Sequence, residues 1–140
     1  MRRVAKAHGR GNIWLEEVDI PEVGPSEVLV RAERSLISRG SEIGRRYDRE
    51  EAIDPRIMGY SLAGHVAEVG AEVVDFSVGD RVAALAPHAE YVVIEAVDPP
   101  HRPSLVAVGP EVSSEAATFW PLATSAVMWM EQTEAGVDDC

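Results

Sequence analysis

Apolar and polar residues alternate along most of the chain, and this period of two predicts a succession of short β-strands. The apolar positions of EVLVRAERSLIS fall on one face, and the signal returns in GHVAEVG, in VAALA and in HAEYVVIEAV. Gly79 marks a turn between the second and third of these strands. Segments 2–8 and 12–19 flank the turn HGRG, so they predict a hairpin.

The C-terminal part of the chain predicts helices. EVSSEAATFW begins a helix that Ser113 or Ser114 would cap, Pro121 interrupts it, and PLATSAVMWMEQTEAG forms a second helix ending at Gly136. DPPHRP excludes a central strand or helix because its prolines remove donors. Polar residues 39–57 predict a short helical turn and then a loop. Together these elements predict a mainly β barrel or sandwich with short C-terminal helices.

Glycines punctuate the stretch MGYSLAGHVAEVG and the turn that follows it. Gly59 and Gly64 predict a bent strand that neighbouring backbone approaches closely. Gly70 and Gly79 suit turns with positive φ, and the Asp80 side chain is placed to accept hydrogen bonds from turn amides.

Composition narrows the class of protein. The 140 residues are enough for one domain with its own core, and the net charge of −11 argues against nucleic acid and anionic membranes. The only cysteine, Cys140, excludes an intrachain disulfide and a multi-cysteine zinc cage. We see no signal peptide, and the apolar stretch 119–130 is too short to span a bilayer, so we expect a cytoplasmic protein.

The order of these blocks resembles the GroES-like N-terminal domain of the medium-chain dehydrogenase/reductase family, which includes zinc-type alcohol dehydrogenases and zinc-free relatives. The blocks are PEVGPSEVLVRAERSLISRGSE, MGYSLAGHVAEVGAEVVDFSVGDRVAAL, HAEYVVI and EAATFWPLATSAV, of which the glycine-spaced second block is the most distinctive. The resemblance implies a GroES-like, partly open β-barrel. It also implies a catalytic-type domain over residues 1–118 and a helical tail over 119–140 leading to an absent cofactor-binding domain.

Zinc-using members of that family hold the metal with a cysteine, a histidine and a third ligand near the last helix. The matching positions here are Ser38, Tyr60 and approximately Pro121, and the glutamate next to the histidine becomes Ser61. Hydroxyls are poor zinc ligands and proline has no donor, so we expect no metal and a zinc-free branch. His65 is a weak substitute, since a lone strand histidine is usually structural. The other histidines lack a helpful partner spacing: His8, His88 and His101.

In zinc-free relatives the residues at these positions face the cofactor–substrate cleft. The resemblance therefore makes Ser38 and Tyr60 the candidate catalytic residues, whose hydroxyls would bind a substrate carbonyl. The residues equally allow Tyr60 to be a core aromatic and Ser38 a turn residue. Arg39 and Thr124 are the candidate cofactor contacts, although a buried Arg39–Glu42 pair would explain Arg39 as well.

No G-x-G-x-x-G fingerprint of a Rossmann domain is present. The resemblance therefore implies an oxidoreductase that uses NAD or NADP on a small-molecule substrate only when a Rossmann-type domain or subunit completes it. The chain alone is predicted to be inactive. It would be a fragment, a subunit of a split enzyme, or a non-enzymatic binding or assembly module.

The tail bears on this choice because large apolar residues crowd into it. Exposed, they would mark an interface with a partner or a second copy of the chain through residues 119–130. The alternative is that the tail folds back on the barrel. The residues are Phe119, Trp120, Leu122, Val127, Met128, Trp129 and Met130.

Overall fold

A computed structural model describes residues 1–96 and 104–133. Its strands are β1 (Arg2–Lys6), β2 (Ile13–Glu17), β3 (Glu27–Leu36), β4 (Ser61–Val69), β5 (Arg81–Ala84), β6 (Tyr91–Glu95) and β7 (Leu105–Ala107). Its helices are α1 (Ser114–Ala117) and α2 (Trp120–Thr133), with a π-helical segment over Arg39–Tyr47 and a 3₁₀ turn over Pro55–Ile57.

The strands form two antiparallel sheets. β1 and β2 make the predicted hairpin, and five strands form a larger sheet in the order β6-β3-β4-β5-β7. Register shifts between Leu29 and Val30 and between Ala32 and Arg34 interrupt the β3–β4 pairing. Such shifts increase bending and twist, which curls the sheet into a half-barrel. The predicted mainly β fold with short C-terminal helices is confirmed.

The two faces of the sheet carry different cores. The larger cluster lies inside the curl and includes Val28, Leu62 and Val82, all almost completely buried. The smaller cluster lies on the other face, where Ala63 and Ala83 pack against Ala117 of α1. The alternation that predicted the strands therefore assigns bulky residues to the curl and alanines to the helix contact.

Close backbone approach explains two of the glycines. A Cβ on Gly64 would overlap the carbonyl of Arg31 on β3, and a Cβ on Gly70 would overlap the backbone of Gly24 and Pro25. The first result confirms the predicted close approach at Gly64. The prediction of a positive φ at Gly70 is wrong, because Gly70 is required for space rather than for a left-handed backbone.

The turn before β5 forms as predicted. Gly79 has a φ of 96°. The Asp80 carboxylate accepts a hydrogen bond of 2.8 Å from the Ser77 N–H.

The C-terminal region forms two helices, as predicted, but the interruption between them lies at a different residue. Ser113 caps α1 by accepting a hydrogen bond of 3.1 Å from the Ala116 N–H, as predicted. Pro121 does not interrupt a helix: it lies in the first turn of α2, where its missing N–H costs nothing. The break falls at Thr118, the C-cap of α1. The predicted end at Gly136 and the segment DPPHRP lie outside the described residues.

In two regions the structure is more regular than the sequence predicts. β7 was not predicted, since three residues beside a proline-rich stretch carry too little alternation to be recognised. Residues 39–57 hold a nine-residue π-helical segment and a 3₁₀ turn instead of one short turn and a loop.

α2 presents apolar side chains to solvent. From Leu122 to Thr133 every side chain is exposed except that of Ser125, which is half-buried. Trp129 is the most exposed of the large apolar residues of α2, at 69%. This confirms that the tail exposes apolar residues. Within the described ranges, no helix has the length and apolar character needed to cross a membrane.

Candidate active site

The antiparallel register of β3 and β4 brings the two predicted catalytic residues to one edge of the sheet. Leu36 at the end of β3 pairs with Ser61 at the start of β4. Ser38 follows Leu36 by two positions and Tyr60 directly precedes Ser61, so both leave the sheet at the same edge. Both are half-buried. We call this place the hydroxyl edge.

Ser38 is the N-cap of the π-helical segment. Its backbone is extended, and its Oγ accepts a hydrogen bond of 3.4 Å from the Ser41 N–H. Ser38 is therefore a turn residue, as the structural alternative expected. Because the hydroxyl accepts in this bond, its own hydrogen remains available to donate to a ligand.

The entry to β4 is held closely against a neighbouring loop. The His88 N–H donates a hydrogen bond of 2.7 Å to the Met58 carbonyl. A Cβ on Gly59 would overlap the backbone of Pro87 and His88, which confirms the close approach predicted there. The Gly59 carbonyl also accepts a hydrogen bond from the Arg46 guanidinium. The peptide leading into Tyr60 is thus fixed from two sides.

Glu42 lies beneath the hydroxyl edge and is completely buried. Its Oε1 accepts a hydrogen bond of 2.7 Å from the Ser38 N–H. Its Oε2 accepts one of 3.0 Å from the Tyr47 hydroxyl and lies 2.8 Å from Nε2 of His88, which is itself 6% exposed. The pKa of Tyr47 is raised well above its usual range. Burial is the larger cause, and the negative charge of Glu42 is the second. Buried charges require such partners.

The suggested Arg39–Glu42 pair is wrong, because the partner of Glu42 is His88 and Arg39 is exposed. The sequence carried one local signal, an acid in the first turn after a capping serine. The sequence carried no signal that His88, 46 positions from Glu42, would be its partner. No group of three or more His, Cys, Asp or Glu side chains among the described residues is placed to hold a metal ion.

The two candidate cofactor contacts lie on different elements. Arg39 follows Ser38 as the first residue of the π-helical segment. Thr124 is exposed on α2, and its hydroxyl donates a hydrogen bond of 2.9 Å to the Trp120 carbonyl. No hydrogen bond within the described ranges connects Thr124 to the hydroxyl edge. Ser38, Arg39 and Tyr60 therefore lie at the hydroxyl edge, and Thr124 lies on α2.

The class of protein follows from comparison with known families. The alcohol dehydrogenase GroES-like domain family matches residues 24–97, which include β3 to β6 and the hydroxyl edge. The chain therefore belongs to this family, the GroES-like domain of medium-chain dehydrogenases/reductases.

Individual relatives agree with the family. The L-threonine 3-dehydrogenase of Rhizobium etli (strain CIAT 652) is 31% identical over 86 residues, which are 59% of this chain and 25% of that protein. The chain thus spans about a quarter of the length of the curated relatives it matches.

Two solved structures share the fold. The quinone oxidoreductase from Coxiella burnetii superposes with a TM-score of 0.70 at 20% identity, covering 96% of this chain and 45% of that one. The quinone oxidoreductase of Escherichia coli, solved in complex with NADPH, gives 0.67 at 19% identity, covering 89% and 41%.

Proposed function

We propose that this chain is the substrate-side domain of an NAD(P)-dependent oxidoreductase that works without zinc. A Rossmann-type domain or subunit would complete it, and the substrate would be a small molecule with a carbonyl or alcohol group. The observation that supports the proposal is the hydroxyl edge, where Ser38 and Tyr60 flank the last register pair of β3 and β4, Leu36 and Ser61.

The donor chemistry at this edge supports zinc independence. Zinc in proteins is bound by thiolates, imidazoles and carboxylates, whereas Ser38 and Tyr60 supply only hydroxyls. The stronger donors nearby, Glu42 and His88, are directed at each other at 2.8 Å. These residues do not fit a zinc ion, and the mechanism below uses none.

The residues fit a nicotinamide cofactor at two points. Arg39 is an exposed cation beside the hydroxyl edge and suits a phosphate oxygen. The Thr124 hydroxyl uses its hydrogen within α2, which leaves its oxygen free to accept from an amide N–H. When bound, the cofactor would supply or accept the hydride.

The hydroxyls would handle the proton that accompanies the hydride. In carbonyl reduction the substrate carbon gains a hydride and the substrate oxygen gains a proton. Tyr60 would donate that proton and recover one from solvent, while Ser38 would donate a hydrogen bond that stabilises the developing negative charge. In alcohol oxidation the same transfers run in reverse.

The test is turnover by the full-length protein. NADH and NADPH would each be offered with benzaldehyde and acetoin as carbonyl probes. Because positioned proton donors contribute about 10²–10⁴-fold, we expect Tyr60→Phe to lower kcat by about 100-fold. We expect Ser38→Ala to lower it less, together with a loss of at most about 1 kcal/mol of stability from the helix cap.

Matched variants separate the hydroxyl edge from general effects. Tyr91→Phe on β6 and Ser35→Ala on β3 remove the same groups elsewhere in the sheet and should keep full activity. If Tyr60→Phe and Ser38→Ala both retain wild-type kcat in an active enzyme, the site assignment is wrong. Absence of nicotinamide binding by the full-length protein would contradict the oxidoreductase proposal itself.

A second candidate function rests on the exposed apolar residues of α2. In this alternative the chain is a non-enzymatic binding or assembly module that acts through residues 119–130. If this alternative holds, we expect the chain to form a stable complex with a partner that lacks a Rossmann domain. NADPH should then have no effect on that complex. Loss of the complex on adding NADPH would favour the oxidoreductase.

A further inference from the structure

We propose that the buried Glu42–His88 pair is a positioning unit that holds Ser38 and Tyr60 in one fixed arrangement. This inference rests on the proposed function of the hydroxyl edge. Neither residue need touch a substrate, because each acts through the backbone of a hydroxyl-bearing residue.

On one side the pair fixes Ser38. The Glu42 carboxylate accepts a hydrogen bond of 2.7 Å from the Ser38 N–H, at the short end of the usual range. The Tyr47 hydroxyl holds the other oxygen of the same carboxylate at 3.0 Å. These two hydrogen bonds fix the orientation of the Ser38 backbone relative to the carboxylate. The position of the Ser38 Cα, from which the hydroxyl projects, is therefore fixed as well.

On the other side the pair fixes Tyr60. The ring of His88 lies 2.8 Å from Glu42, while its backbone N–H donates to the Met58 carbonyl at 2.7 Å. Gly59 allows this contact because any side chain there would overlap the His88 backbone. His88 is therefore the shared reference for both hydroxyl residues.

A third connection closes the arrangement. Arg46, in the last turn of the helical segment that Ser38 caps, donates to the Gly59 carbonyl, which belongs to the peptide leading into Tyr60. One helical segment thus holds Ser38 at its start and the Tyr60 peptide near its end. A displacement of Glu42 would disturb both hydroxyls together.

The experiment compares Glu42→Ala with Glu42→Gln in the full-length protein, with benzaldehyde and NADPH as probes. A displacement of about 1 Å costs on the order of 100-fold in rate, so we expect Glu42→Ala to lower kcat by about 10–100-fold. The KM for NADPH should not change. Glu42→Gln should recover most of the rate, because its amide oxygen still accepts the Ser38 N–H.

Lys6→Met is the matched control. Lys6 is also buried, 3% exposed, and its ammonium donates to three backbone carbonyls outside the segment that Ser38 caps, including that of Glu51 at 2.9 Å. This variant should lower the melting temperature while leaving kcat unchanged. If Glu42→Ala behaves in the same way, its role is only structural and the proposal is overturned.

Amide hydrogen exchange gives a readout that does not depend on turnover. We expect Glu42→Ala to speed exchange at Ser38, and Glu42→Gln to preserve its protection. Should Glu42→Ala not fold, Tyr47→Phe decides, since it removes one hydrogen bond to the carboxylate and should also speed exchange at Ser38. Unchanged exchange at Ser38 overturns the positioning unit, whereas a wild-type protein without turnover contradicts only the proposed function.

Discussion

Gly64 shows how one missing side chain sets the spacing of two strands. Its position on β4 faces the Arg31 carbonyl of β3, where a Cβ has no room. We expect Gly64→Ala to lower the free energy of unfolding by about 1–3 kcal/mol, because the strands must separate to accommodate the methyl group. Urea unfolding at equilibrium measures this change.

Gly44→Ala is the control for that prediction. A Cβ at Gly44 meets nothing within 4 Å, and the residue lies in a helical segment where alanine is favoured. It should not destabilise the protein. Equal losses at the two positions would show that backbone crowding at Gly64 is not the cause.

The buried environment of Lys6 could not be predicted from the sequence around it. At the end of an amphipathic strand it has the pattern of a solvent-exposed lysine. In the fold its ammonium donates to the carbonyls of Ala7, Gly9 and Glu51 at 2.9, 3.0 and 2.9 Å. It thereby ties the turn of the β1–β2 hairpin to the polar segment before the 3₁₀ turn.

At the scale of elements, the 3₁₀ turn depends on its cap. The Asp54 carboxylate accepts the Arg56 N–H at 2.9 Å and pairs with the Arg56 guanidinium at 2.6 Å. The side-chain hydrogen bonds from Arg56 lower the pKa of Asp54 from 3.8 to about 2. Since this pKa is depressed in the folded state, the cap stabilises the protein above pH 3.8 and ceases to do so as the pH falls to about 2.

We therefore expect Asp54→Asn to lower the free energy of unfolding at neutral pH. The difference from wild type should shrink as the pH falls through this window and should vanish near its lower end. Urea unfolding over a pH series measures it. The control is Asp75→Asn, at an exposed carboxylate in the loop before β5, which should leave the free energy of unfolding at neutral pH unchanged. A constant difference at every pH would contradict the cap assignment.

At the scale of the whole molecule, α2 exposes an apolar face to solvent. Leu122 and Trp129 lie seven positions apart, on one face of the helix, and are 41% and 69% exposed. Solvent-exposed apolar patches of this kind favour association. We expect the 140-residue chain to self-associate, and the double variant Leu122→Gln/Trp129→Gln to remain monomeric, in sedimentation equilibrium.

Val74→Gln is the control, because Val74 is 88% exposed and lies in the loop before β5, away from α2. It should leave association unchanged. If it disrupts association as much as the double variant does, the contact does not depend on α2. If the proposed oxidoreductase function holds, the same α2 face would contact the cofactor-binding domain, and the double variant should weaken nicotinamide binding.

The sequence by itself determined the features that depend on neighbouring residues. Alternation predicted β3 to β6 because burial of one sheet face has a period of two, and Ser113 was recognisable as a cap from its place before a helical pattern. Ser38 and Tyr60 were identified as candidates from family motifs, which short segments preserve.

Only the tertiary structure decided which distant groups meet. Glu42 and His88 are 46 positions apart, and nothing near either residue predicts the other. Their pairing depends on the register of β3 against β4 and on the close approach that Gly59 allows. The reason is physical: the free energy of a buried charge depends on the partners that surround it, and those partners come together only when the chain folds.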